Sequence, residues 1–192
     1  MRIKNTIVRS IVIITILILS VISGTIYQAI WHRIDLNNHP RQYTEYVEKY
    51  AAQYGVPEYI IYAVIKNESD FASNMLSENG EIGLMQISPE TFSWLLTLTK
   101  ETQDPGILYD PETNIRYGTY MLSYLFTEYS RWTTVFAIYD AGEEQVTEWM
   151  KRPELVDDIG NLKKIPDEAV DEYVKSVEET MEIYQKLYYS VY

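Results

Sequence analysis

Cysteine is absent from all 192 residues, so disulfides, thiolate nucleophiles and zinc–thiolate clusters are excluded. An exported domain that does without oxidative stapling is compatible with that absence. Basic side chains are scarce, and three of them, Arg2, Lys4 and Arg9, sit in the first nine residues. Setting those three aside leaves 13 Lys and Arg against 28 Asp and Glu, a net charge of −15 from Ser10 onward. Such a balance supplies no basic face for phosphate neutralisation, which excludes nucleic acid as a partner. Also missing are strand-like alternation, an internal repeat and any low-complexity tract, so an all-α domain is expected.

Charge of either sign is missing between Ser10 and Ile30, where Ile, Val and Leu dominate. That run is long enough to cross a bilayer core as a helix. With Arg2, Lys4 and Arg9 before it, the positive-inside rule keeps residues 1–9 in the cytoplasm as a basic tail. Residues 10–30 are expected as a transmembrane anchor, 31–42 as a juxtamembrane stalk and 43–192 as the folded domain. A cleavable signal peptide shares the basic start, but this apolar run is long for one, and Ser23-Gly24-Thr25 makes a poor cleavage site. A single-pass protein of the cell membrane with an extracytoplasmic domain follows, with Tyr27 and Trp31 at the outer interface.

The domain has about 155 residues, enough for one core. A helical stripe from Tyr43 to Tyr54 closes at Gly55, and Val56-Pro57 opens a second helix through Ile60, Ile61, Ala63, Val64 and Ile65 to Glu68. Asn74 to Gly83 reads as a loop. Ser88-Pro89 and Asp110-Pro111 each pair a capping side chain with proline at the first helical position, the latter ahead of a helix to about Tyr129. Trp132 to Ala141 is a buried helix ended by Gly142, and a last helix runs from Pro166-Asp167 to about Tyr189.

Glu68 stands at the C-terminal edge of an apolar helix, where the helix dipole disfavours a carboxylate. Eighteen residues on, a glycine-bounded loop carries Gln86. A desolvated carboxyl that holds its proton, facing polar groups that hold a sugar, is what glycoside cleavage requires.

Seven strings occur in order: Glu68-Ser-x-Phe71, Ser77, Gly80-x-x-Gly83-Leu84-Met85-Gln86, Pro89-x-Thr91, Asn114-Ile115-x-x-Gly118-Thr119, Tyr139-x-Ala141-Gly142 and Tyr173-Val174. In order and spacing the set resembles the soluble-type lytic transglycosylase family of the goose-lysozyme-like superfamily, from about Tyr46 to about Tyr184. The resemblance implies a lysozyme-like helical fold and cleavage of the MurNAc-β-1,4-GlcNAc bond of bacterial peptidoglycan. It implies one catalytic acid, Glu68, that protonates the glycosidic oxygen and then draws a proton from the C6 hydroxyl, closing a 1,6-anhydro ring with no metal or cofactor. Peptidoglycan strands are the implied partner, beside the membrane and an unnamed cell-wall or secretion machine.

Ser77, Met85, Gln86, Tyr139 and Asp140 are the substrate-binding residues the resemblance assigns, with Met85 as groove wall or core and Tyr139 as a hydroxyl close to Glu68. Several positions depart from the family pattern. Asp140 replaces the usual Asn, Glu81 a small residue, Met121 an aromatic one, and Glu143-Glu144 add charge beside the groove. An acidic domain is repelled by anionic wall polymers, so recognition rests on close contacts. Among nearby acids Glu81 is the first candidate for a second carboxylate, and two alternatives remain open: a hydrolytic goose-type lysozyme, in which water replaces the C6 hydroxyl, and a non-cleaving muropeptide-binding scaffold of a secretion or division machine.

Overall fold

The computed structural model describes residues 2–190, and side-chain surroundings from residue 13 onward. Two compact units divide near Pro40.

The first unit is one 37-residue helix, α1 (Arg2–Asn38), about 55 Å long at 1.5 Å per residue. It continues past Ile30, and Ile13–Asn38 is long and apolar enough to cross a membrane. Ile13, Leu17, Val21 and Ile26 are all more than half exposed, so this surface has no protein partner among the described residues and suits an apolar solvent. Tyr27 and Trp31 pack ring to ring at 5.9 Å.

The second unit is helical, as expected, with only isolated backbone bridges among the described residues. Its helices are α2 (Thr44–Tyr54), α3 (Glu58–Ser69), α4 (Pro89–Thr99), α5 (Pro111–Tyr129), α6 (Trp132–Ala141), α7 (Glu143–Met150) and α8 (Glu168–Tyr184). In α3, six successive residues from Ile60 to Ile65 are fully buried, so this helix is covered on all sides and forms the centre of the core. It packs against α8, which also holds α6, while α2 lies on α5. The C-terminal ends of α3 and α6 and a face of α8 are thereby drawn together.

Capping chemistry sets the boundaries. Asp110 accepts from the Thr113 amide at 2.9 Å and Asp167 from those of Ala169 and Val170. Ser88 Oγ accepts from the Thr91 amide at 3.0 Å, with Pro89 opening α4. Ser88→Ala is expected to lower stability by about 1 kcal/mol in urea denaturation, while Ser88→Asp retains most of it. The last helix differs from the expectation: its α-helical part ends at Tyr184, and Gln185–Tyr189 is a wider π turn. In that turn Tyr189 donates to Glu58 at 2.7 Å, and Arg41 lies over the rings of Tyr62, Tyr188 and Tyr189. Helix α7 was not anticipated; Gly142, at φ 83°, ends α6 and starts α7.

Candidate active site

Glu68 occupies the last turn of α3, half-buried. Burial pushes its carboxyl up to about 8, against the pull of a hydrogen bond donated by Tyr173 of α8; repulsion from Glu81 and Asp140 adds to the rise. The Tyr173 phenol is itself raised well above its ordinary range by burial and by Glu68, so it remains a donor. Tyr173→Phe keeps the ring and removes the one contact that favours the carboxylate, so the Glu68 proton is held more tightly still. The basic limb of a pH–activity profile is expected to move upward in that variant, with little change at acidic pH.

After Glu68 the backbone turns sharply. Asp70 and Phe71 adopt successive left-handed conformations, φ 47° and 67°, uncommon for residues other than glycine. Asp70 points outward and pairs with Lys66 at 2.5 Å, so it is no partner for Glu68. Ser69 is buried and donates to the Leu84 carbonyl at 2.8 Å, fastening the end of α3 to the loop that carries Gln86. From the other side, fully buried Asn114 of α5 accepts from the Met85 amide at 2.7 Å and donates to the carbonyls of Ile82 and Leu108 at 2.8 and 2.9 Å. Glycine is required where these strands of chain meet. A Cβ on Gly83, at φ 79°, would stand 2.4 Å from both Asn114 Nδ2 and the Leu108 carbonyl, and one on Gly118 would stand 2.4 Å from Met85 Sδ.

The residues assigned from the sequence separate into distinct roles. Met85 is fully buried against Gly118, so its side chain is core; its carbonyl accepts from the Tyr139 hydroxyl at 2.6 Å. Tyr139 is close enough to Glu68 to be raised by it, after burial, yet the phenol that bonds Glu68 is Tyr173. Gln86 is 6% exposed at φ 45°; its amide donates to the Gly83 carbonyl at 2.7 Å, while Oε1 is buried without a partner among the described residues. Ser77 donates to the Glu81 carboxylate at 3.0 Å and accepts from the Glu81 amide at 3.1 Å. Glu81, close enough to raise Glu68, thus has a fixed position.

Asp140, in the last turn of α6, lies exposed on the rim of a cleft of about 490 Å³. Desolvation by the cleft wall raises its carboxyl, helped by repulsion from Glu81 and Asp167. Glu81, Trp94, Met121, Tyr139 and Asp140 are among the lining residues; Glu68 is not, and the cleft approaches it through Glu81, Tyr139 and Asp140. Two of the carboxylates that raise Glu68, Glu81 and Asp140, thus also line the cleft.

Residues 45–159 match the family model described as Transglycosylase SLT domain. The chain belongs to this family. It is 29% identical over 161 residues to the soluble lytic murein transglycosylase of Escherichia coli K12, covering 81% of this chain and 25% of that protein. It is 34% identical over 139 residues to the membrane-bound lytic murein transglycosylase C of Yersinia pestis (strain Pestoides F), covering 67% of this chain and 38% of that one. Among solved structures, the E. coli soluble lytic transglycosylase SLT70 superposes with a TM-score of 0.73 at 28% identity, over 79% of this chain and 25% of that chain. A complex of the 70-kDa soluble lytic transglycosylase with bulgecin A gives 0.75 at 27% identity, over 88% and 28%. The chain thus spans about a quarter of the length of its soluble relatives, and the expected lysozyme-like helical fold is the one observed.

Tyr173, beyond the 45–159 match, is the residue that sequence reasoning left without a role. It belongs to one of the matched strings, but it is 105 residues from Glu68, and only the packing of α8 on α3 joins them.

Proposed function

We propose that the chain is a membrane-anchored peptidoglycan lytic transglycosylase that cleaves the MurNAc-β-1,4-GlcNAc bond. The observation that carries this reading is Glu68: half-buried, bonded by Tyr173, raised to about 8, and influenced by Glu81 and Asp140, which line a cleft. A carboxyl with that affinity for its proton is a general acid at neutral pH. It protonates the glycosidic oxygen as the bond to the leaving sugar breaks. The muramic N-acetyl oxygen stabilises the anomeric carbon from the substrate side. Glu68, now a carboxylate stabilised by the Tyr173 hydroxyl, takes the proton of the C6 hydroxyl, whose oxygen attacks that carbon and closes the 1,6-anhydro ring. The Tyr139 hydroxyl holds the Met85–Gln86 backbone through the Met85 carbonyl. Relatives named as lytic murein transglycosylases, soluble and membrane-bound, support the same reading.

The exposed apolar surface of α1 supports insertion of residues 10–30 in the membrane, with 1–9 cytoplasmic, 31–42 beyond the outer interface, and the domain from residue 43 outside the cytoplasm. Mass analysis of peptidoglycan digested by the purified protein tests the reaction. Anhydro-muramyl ends are expected; reducing ends would make the protein a hydrolase, and intact strands a binding module.

A further inference from the structure

The cleft beside Glu68 carries four carboxylates, Glu81, Glu90, Asp140 and Glu143, and no Lys, Arg or His among its lining residues. None of the four forms an ion pair among the described residues. Two have a structural reason to be acidic. Glu90 and Glu143 lie in the first turns of α4 and α7, where the helix dipole favours negative charge, and Glu143 also accepts from Tyr129 at 2.7 Å. The other two have no helix dipole to favour them. Asp140 stands in the last turn of α6, the end of a helix that disfavours a carboxylate. Glu81 is on the loop, close enough to Glu68 and Asp140 to raise both, and fixed by both of its contacts with Ser77. The partly buried ring of Trp94, edge-on to Tyr124 at 5.2 Å, adds an aromatic wall. A cleft with low-dielectric walls concentrates a field of one sign, and carboxylates beside an aromatic ring form an environment that favours cations.

We propose that Asp140 and Glu81 are specificity determinants that make the cleft select glycan strands whose peptide stems are net cationic, with free ammonium groups and masked carboxylates, over strands with anionic stems. This rests on the reading of the cleft as the glycan-binding groove. Stem carboxylates entering it meet like charge on Asp140 and Glu81, whereas an ammonium group meets opposite charge.

The test uses one peptidoglycan in three forms: untreated, amidated at its carboxyls, and acetylated at its free amines. The full chain in detergent is expected to cleave the amidated form fastest and the acetylated form slowest, with roughly tenfold between them in kcat/KM at low ionic strength and much less at about 0.5 M salt. In the double variant Glu81→Gln/Asp140→Asn the ratio falls to about one to three. Circular dichroism confirms that the variant is folded, and Asp140→Asn alone, at an exposed site, replaces it if it is not, with a partial fall in the ratio expected. Co-sedimentation of Glu68→Gln with the same three materials reads the preference without cleavage. Absence of cleavage by the wild type would therefore sink the transglycosylase reading, while the sedimentation ranking still decides this one. Equal binding and cleavage of all three forms, or an unchanged ranking in the charge-neutralised variant, would overturn the proposal.

Discussion

Glu68→Gln is expected to reduce glycan cleavage by roughly 10²- to 10⁴-fold while glycan binding survives. The amide keeps the size of the side chain and can still accept the Tyr173 hydrogen bond, but it has no proton to transfer and no carboxylate to form. Quantifying muropeptide release against sedimentation of the protein with intact sacculi separates the two effects, and retention of more than a tenth of the activity would move the acid elsewhere. The same substitution has an opposite effect on stability. In the folded chain Glu68 binds its proton up to about pH 8, and in the unfolded chain only to about its ordinary 4.5. Between those values the native state holds more protons than the unfolded state, so the wild-type protein loses stability as pH rises through that window. Glutamine does not titrate. The variant should match or trail the wild type near pH 4 and overtake it progressively toward pH 8, levelling off beyond. Each pH unit of elevation corresponds to about 1.4 kcal/mol, with solvent at the half-open site reducing the realised gain. Parallel denaturation curves at pH 4.5 and 8.5 that show the same difference between the two proteins would contradict a raised Glu68.

Asn114→Ala is the second large effect, and it concerns folding of the site. The deletion removes one acceptor and two donors at a position with no solvent exposure, leaving the Met85 amide and the Leu108 carbonyl to find other partners, while the Ile82 carbonyl keeps the Ile87 amide at 3.1 Å. A loss of roughly 3–5 kcal/mol is expected, since each buried group left unsatisfied costs about 1–3 kcal/mol and some relaxation will occur. Asn114→Asp should be no better, because an ionised carboxylate would face two carbonyl oxygens and could donate to neither. Chemical denaturation gives the stability. Activity of the fraction that remains folded should also fall, because the Met85–Gln86 backbone is no longer held from the α5 side. A change of less than 1 kcal/mol in either variant would mean that the loop is held by its own turns.

The helix boundaries were legible wherever a side chain acts on its own neighbourhood. Ser88-Pro89, Asp110-Pro111 and Asp167 cap as their types dictate, and Gly55 and Gly142 end helices with positive φ. Helix α7 was hidden because Glu143 and Glu144 read as groove charge; with Val146, Trp149 and Met150 behind them they are also an acidic first turn followed by apolar positions at helical spacing. Glu68 itself was readable, as an acid placed against the dipole of an apolar helix. Its surroundings were less so. Burial of Met85 depends on the closeness of Gly118, the engagement of Ser77 by Glu81 depends on a loop turn, and Tyr173 enters through packing between α3 and α8. These are long-range or conformational facts with no local signature in the chain.

The bond from Tyr173 to Glu68 also orders events in time. A polypeptide is made from its N-terminus, so the phenolic partner of Glu68 is the 105th residue added after it. Until α8 closes over α3, the carboxyl is open to water and titrates as an ordinary glutamate, ionised at neutral pH and unable to donate a proton. Under the proposed function, a C-terminally shortened chain that lacks α8 is expected to leave glycan uncut. On the same reading, competence to donate a proton arrives only when the final helix docks, a delay built into chain order.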